Sequence, residues 1–270
     1  MKVVLFCGGR GTRIREYAEN VPKPMIPLGS QPILRHVMQY YSDFGHDDFI
    51  LCLGYKANTI KDFFLNSRPQ TFSDCIVSGD GKVELLGQVQ SNWRISLIDT
   101  GIWRNIGERL WAVREQLRGE RMFIANYSDG LTDVDLDDMV AQFEASGKLA
   151  CFLAVRPPLT YHLADIEPDG SVSQFRSSET SDIWINGGYF LLRGEIFDYM
   201  QEKEELVLEP FTRLIADNML MAYKHEGFWR SMDTLRDWQV LEEMVERGDM
   251  PWTQQARTNK RTAIKMVTAP

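Results

Sequence analysis

Cysteine is scarce in this chain, and none of the four residues (Cys7, Cys52, Cys75, Cys151) stands at a spacing that metal binding uses. That argues against a disulfide scaffold and a zinc module. Three of the thiols lie in apolar, strand-like runs and read as buried and free, as in a cytoplasmic protein. A basic excess is lacking too. Thirty Lys and Arg face 38 Asp and Glu, for a formal charge of -8. That balance argues against a nucleic-acid partner, while leaving room for a small cationic pocket. No uninterrupted apolar run approaches a membrane span, and the N-terminus shows no charged segment leading into an apolar core and cleavage site. No membrane partner is expected. Neither an internal repeat nor a low-complexity linker breaks the 270 residues, which suffice for one large core or a domain plus a lobe.

What is present is concentrated at the start. Lys2 to Phe6 is a short β-branched and aromatic run of the kind buried at the centre of an α/β sheet. It ends in Cys7-Gly8-Gly9-Arg10-Gly11-Thr12-Arg13, where glycines permit a tight turn and bring backbone N–H groups close to a ligand. Arg10, Arg13 and Lys23 add positive charge nearby, which suits a polyphosphate. Two familiar phosphate motifs are absent: Gly9-x-Gly11 lacks the third glycine of a dinucleotide fingerprint, and no GK[ST] follows for a P-loop.

Gln31 to Phe44 carries Ile33, Val37, Met38 and Tyr41 at helical spacing; Asp48 to Leu53 is a second buried strand ending at Gly54, and Ile60, Phe63 and Phe64 mark another helix. This alternation predicts a parallel sheet wound by right-handed crossovers, with ligands beyond the strands' carboxyl ends. Residues 68–100 break the pattern with three short strand-like runs, the last at Ile95 to Ile98, and read as an antiparallel β insertion. A helix is expected over Gly107 to Leu117, a central strand over Arg121 to Ala125 and a helix over Asp135 to Ser146 capped by Asp135. The second half is mostly strands, with a hairpin at Asp169-Gly170 and a last helix over Leu235 to Arg247. Residues 1–252 read as one domain and 253–270 as a polar tail. Asp129, in the turn Ser128-Asp129-Gly130, is placed to hold a divalent cation beside phosphates, and equally to form a turn. Asp233, just before the last helix, is a metal ligand or a helix cap.

Taken together, CGGRGTR, VPKPMIPLGSQPIL, LCLGYKANTIKDFF, LIDTG, YSDGLTDVD, INGGYFLL and GFWRSMDTLRDWQVLE resemble the sugar-1-phosphate nucleotidyltransferases, and among them the glucose-1-phosphate cytidylyltransferases, from Lys2 to about Trp252. The resemblance implies a Rossmann-like nucleotide-diphospho-sugar transferase fold, a mixed central sheet flanked by helices. It also implies a homo-oligomeric enzyme that joins a nucleoside triphosphate, CTP first, to a phosphorylated small-molecule acceptor and releases pyrophosphate. Asp129 and Asp233 match the family's magnesium ligands. Arg13 and Lys23 would contact the triphosphate, and Gly8, Gly9, Gly11 and Thr12 would line its cradle. Gly54 and Arg109 would sit near base and ribose, and Asn186 and Gly187 match the sugar-contacting turn.

Departures gather on the acceptor side. The family's Glu-Lys-Pro is replaced by a stretch without lysine, Phe175-Arg176-Ser177-Ser178-Glu179, where Arg176 is the available cation. Its Arg-Phe-Gly becomes Thr160-Tyr161-His162, which puts an imidazole where a hexose would pack. The pattern implies an active enzyme with an altered acceptor, either a modified sugar phosphate or a phosphorylated compound that is not a sugar. A non-catalytic nucleotide or sugar-phosphate sensor is the competing reading, against which retention of Arg13, Lys23, Asp129 and Asp233 argues. UTP or dTTP in place of CTP is a third.

Overall fold

The computed structural model describes residues 1–11, 14, 21–66, 75–85, 92–157, 162–177 and 183–254. Its spine is a seven-stranded sheet built from β1 (Lys2–Phe6), β2 (Asp48–Leu53), β3 (Arg94–Asp99), β4 (Met122–Asn126), β5 (Ala150–Val155), β6 (Ile185–Arg193) and β7 (Leu220–His225). In space the order is β7-β5-β6-β4-β1-β2-β3, and β6 alone runs against the other six. The expected α/β class with a mixed central sheet is therefore the observed one.

Alternation along the strands divides the core into two layers. Val3, Leu5, Phe49 and Leu51 face one side, where they meet α1 (Ile33–Ser42), α2 (Ala57–Asn66), α4 (Leu136–Ser146) and α6 (Leu235–Glu246). Val4, Phe6, Ile50 and Cys52 face the other, toward α3 (Ile106–Ala112) and α5 (Glu209–Ala216). The central strands β1, β2 and β4 are buried on both faces, which is why their sequences are continuous apolar runs rather than alternating ones. Cys7, Cys52 and Cys151 are buried free thiols, as expected.

One expectation is corrected. Arg94–Asp99 is not part of an antiparallel insertion: it pairs parallel with β2, Asp48 opposite Arg94 through Leu53 opposite Asp99. It is an edge strand with half-exposed residues, so it lacks the apolar run that marks its neighbours. The antiparallel hairpin within this stretch is formed by Cys75–Val77 and Val83–Leu85. A second hairpin pairs His162–Ile166 with Val172–Ser177 around Gly170, whose φ is +85°. No helix among the described residues is long and apolar enough to cross a membrane.

Candidate active site

Because β1, β2, β3 and β4 run parallel, their carboxyl ends open onto one edge of the sheet, and the antiparallel β6 begins there. The glycine turn leaves β1 at this edge, and what holds it is Arg109. This side chain is 3% exposed and reaches from α3 under three strand ends. Its Nη1 donates to Leu53 O (3.1 Å), Thr100 Oγ1 (2.8 Å) and Gly101 O (2.9 Å), and its Nη2 to Gly8 O (3.0 Å) and Ile102 O (3.4 Å). Burial lowers its pKa, and the nearby charge of Arg104 acts in the same direction. Gly8 and Gly54 have no side chains for a concrete reason. A Cβ on Gly8 would lie 2.0 Å from Arg109 Nη1, and one on Gly54 would meet Gly101 O at 2.7 Å and the same nitrogen at 2.8 Å. Arg109 is thus a strut in the pocket wall, its guanidinium committed to strand-end oxygens. Gly9 has open space where a side chain would stand, and Gly11 adopts a φ of +57° that favours glycine.

Beside this turn lies an acidic pair built from distant sequence. Two short strands, Gly130–Thr132 and Trp229–Ser231, pair antiparallel with Gly130 opposite Ser231, and Met232 N donates to Asp129 O at 2.9 Å. The ladder brings Asp129 and Asp233 together although β4 and α6 carry no local signal of it. Both carboxylates grip one ammonium: Lys23 Nζ stands 2.6 Å from Asp129 Oδ2 and 2.7 Å from Asp233 Oδ1. Lys23 itself is fixed in a 3-10 turn between Pro22 and Pro24. Burial opposes its charge, but the two carboxylates outweigh burial and raise its pKa above the ordinary lysine value. Asp233 is not the helix cap; Thr234 is, in a reciprocal capping box with Asp237. Asp129 follows Ser128, a non-glycine residue at φ +63° whose Oγ donates to Phe6 O at 2.9 Å, tying the β4 turn to the end of β1.

Two carboxylates converging on a single cation, open to a cavity, form an oxygen donor set that fits a hard divalent ion. Among the described residues no group of three or more His, Cys, Asp or Glu gathers to hold a metal. Further ligands would therefore come from phosphate oxygens and water.

On the far side, Asn186 at the start of β6 donates from Nδ2 to Tyr127 OH (3.2 Å) and accepts from Gly188 N (2.9 Å), while Gly187 O accepts from Trp229 Nε1 (2.9 Å). Burial, with the Glu205 carboxylate next, pushes the Tyr127 phenol up to about 12, so it stays protonated at neutral pH. Gly9, Gly11, Lys23, Arg109, Asp129, Asn186, Gly187 and Asp233 line one cavity of about 770 Å³. Gly8 and Gly54 are not among its lining residues. Arg176 is not among its lining residues: it pairs with Asp165 across the hairpin, Nη2 to Oδ1 at 2.6 Å. His162 begins that hairpin, but its side chain lies outside the described part, as do Thr12 and Arg13 entirely. Sequence reasoning missed Tyr127 and Trp229, which brace the β6 turn. It also missed the role of Arg109, whose signal was the pair of glycines at successive strand ends.

The nucleotidyl transferase family (NTP_transferase) matches residues 2–241. The glucose-1-phosphate cytidylyltransferase of Salmonella typhi is 36% identical over 254 residues, covering 93% of this chain and 98% of that one; the Salmonella typhimurium enzyme of the same name gives the same values. Among solved structures, UTP-bound UGPase from Acinetobacter baumannii superimposes with a TM-score of 0.68 over 98% of each chain at 14% identity, a likeness of fold. The landmarks, the sheet order and these matches agree: the chain belongs to the sugar-1-phosphate nucleotidyltransferases and is, within them, most similar to glucose-1-phosphate cytidylyltransferases.

Proposed function

We propose that this enzyme is a Mg²⁺-dependent, cytoplasmic cytidylyltransferase with its catalytic unit in residues 1–252, acting on CTP and a phosphorylated, sugar-1-phosphate-like acceptor. The observation that carries the reading is the convergence of Asp129 and Asp233 on Lys23 beside the glycine turn. A phosphate oxygen of the acceptor attacks the α-phosphorus of CTP, the bond to the β-phosphate breaks, and pyrophosphate leaves. The protein's task is to align two anions that repel each other and to neutralise the charge that builds between them. Asp129 and Asp233 would hold Mg²⁺, which when bound would supply Lewis acidity and positive charge. Lys23, with Arg13, faces the triphosphate; Gly8, Gly9, Gly11 and Thr12 give it a backbone cradle whose floor is propped by Arg109 and Gly54. Asn186 and Gly187 receive the acceptor.

A second reading, that the acceptor is not glucose 1-phosphate, is favoured by Arg176. Engaged with Asp165 and away from the cavity lining, it supplies no replacement for the family's acceptor lysine. Both readings are tested by pyrophosphate release from CTP, UTP, dTTP and GTP in turn against a panel of phosphorylated acceptors with Mg²⁺. Fastest release with CTP is expected. Release with no triphosphate and acceptor combination would favour a sensor instead.

A further inference from the structure

Asp129 and Asp233 meet through a ladder only three residues long, and a two-stranded ladder of that length is marginal on its own. Its strands are anchored unequally. Gly130–Thr132 is tied to the core: the Tyr189 hydroxyl donates to Gly130 O at 2.6 Å, and that of Tyr40 to Val134 O at 3.0 Å. Trp229–Ser231, which leads into Asp233, arrives from the edge strand β7 through the turn Glu226-Gly227-Phe228.

At the entry to that strand stands a buried acid and an imidazole that the proposed reaction leaves unused. The Asp133 side chain is 5% exposed, and its Oδ1 accepts from Phe228 N and from His225 Nε2, both at 2.8 Å. Nε2 also faces Phe228 O at 3.3 Å; with oxygen acceptors on both sides, that nitrogen carries the proton. Phe228 O accepts in turn from Asp133 N (3.1 Å) and Thr132 Oγ1 (2.8 Å), so both backbone polar groups of Phe228 are held. Gly227 completes the fit, since a Cβ there would lie 2.4 Å from Asp133 Oδ1 and 2.6 Å from His225 Cε1. Neither Asp133 nor His225 lines the cavity, so their effect on the acidic pair runs through the ladder.

We infer that Asp133, His225 and Gly227 form a positioning bracket that fixes the spacing of Asp129 and Asp233, and thereby sets the preference of that pair for Mg²⁺ over the larger Ca²⁺. The inference rests on the reading of Asp129 and Asp233 as a metal-holding pair. A small divalent ion demands near-ideal placement of its oxygens, whereas Ca²⁺ tolerates a looser and wider set. Rigid spacing therefore favours the smaller ion, and slack in the ladder costs it more than it costs the larger one. The bracket locks the strand hung from the sheet edge onto the strand tied to the core, which is where such slack would enter.

Competition of Mg²⁺ and Ca²⁺ against Mn²⁺, followed by paramagnetic resonance on the full chain well below its unfolding temperature, reads the spacing without turnover. In Asp133→Ala, His225→Phe and Gly227→Ala, the preference for Mg²⁺ over Ca²⁺ should fall about fivefold, the scale of one net hydrogen bond. Asp133→Asn keeps an acceptor and His225→Gln keeps a donor, so both should recover most of that factor. Hydrogen exchange gives a metal-free reading. Protection of Met232 N–H, which donates to Asp129 O, should fall in the three disruptive variants, while Met122–Asn126 stays protected as in wild type. Wild-type ion preference, or wild-type protection at Met232, in the folded variants would overturn the inference, even with a lowered unfolding temperature. Should Asp133→Ala not fold, His225→Phe and Gly227→Ala decide it. Mn²⁺ binding that Asp129→Asn leaves unchanged is a different failure, that of the metal reading; the hold of the bracket on the ladder is then decided by exchange alone.

Discussion

Lys23 and Asp233 lie 210 positions apart in the chain and share an ion pair of 2.7 Å, with Asp129 on the same ammonium at 2.6 Å. Two carboxylates and one ammonium leave a negative excess at the cavity wall, and the ammonium stands between the groups assigned to Mg²⁺. Under the proposed function, a metal would compete with Lys23 for the same carboxylate oxygens. In Lys23→Met, divalent metal binding without nucleotide, followed by Mn²⁺ paramagnetic resonance, should tighten severalfold while turnover is lost. Unchanged or weaker metal binding in that variant would contradict the competition.

The same pair has a defined pH dependence. The folded pKa of Lys23 is raised above its unfolded value because the two carboxylates outweigh burial. Its contribution to stability is then fully present below the ordinary lysine range and is lost as pH rises through the higher folded value. Urea midpoints of wild type and Lys23→Met should differ by a constant amount from about pH 6 to about pH 9 and converge only in strongly alkaline solution. Convergence near neutrality would mean that the ammonium is not held as described.

Gly8 and Arg109 form a second testable pair. Arg109→Ala should cost about 2–4 kcal/mol of stability, since several buried oxygens lose their donor at once. Arg109→Lys should recover little, because an ammonium cannot span acceptors at three strand ends. Gly8→Ala should be destabilising alone, by about 1–3 kcal/mol, yet nearly neutral in the Arg109→Ala background, where the clashing guanidinium is gone. Additive costs in the double variant, read from urea denaturation, would show that the two residues do not occupy the same space.

Much of this molecule was legible in its sequence because its central strands are buried on both faces. Lys2–Phe6, Asp48–Leu53 and Met122–Asn126 are continuous apolar runs, and each ends in a turn at the site. Arg94–Asp99 was misread because an edge strand with half-exposed residues looks like any exposed hairpin strand. The meeting of Asp129 with Asp233 is not written locally either. It depends on a ladder of two three-residue strands, too short to leave a periodic signal. Arg109 illustrates a further limit: its residue type announces charge, whereas its work is to satisfy backbone oxygens at three strand ends, a role set entirely by tertiary packing.

Under the proposed function, acceptor choice turns on Arg176. Arg176 is engaged by Asp165 and lies outside the cavity lining, so it does not stand in for the expected lysine, and under that function glucose 1-phosphate should be a poor substrate. One missing charged partner corresponds to about 1.5–3 kcal/mol, or roughly ten- to a hundredfold in kcat/KM. The double variant His162→Gly, Ser178→Lys should gain most of that factor. Efficient turnover of glucose 1-phosphate by wild type, with no gain in the double variant, would make this an ordinary glucose-1-phosphate enzyme with an unusual phosphate contact.

The central claim is that Asp129 and Asp233 act as one metal-holding unit rather than as a turn former and a helix-flanking residue. Asp→Asn is nearly isosteric and removes only the charge that would hold a divalent ion. The most direct measurement is Mg²⁺-dependent pyrophosphate release by wild type, Asp129→Asn and Asp233→Asn, on the best acceptor, with thermal unfolding recorded alongside. The expected result is loss of turnover in both variants with the fold intact. Substantial Mg²⁺-dependent turnover in either folded variant would contradict the claim.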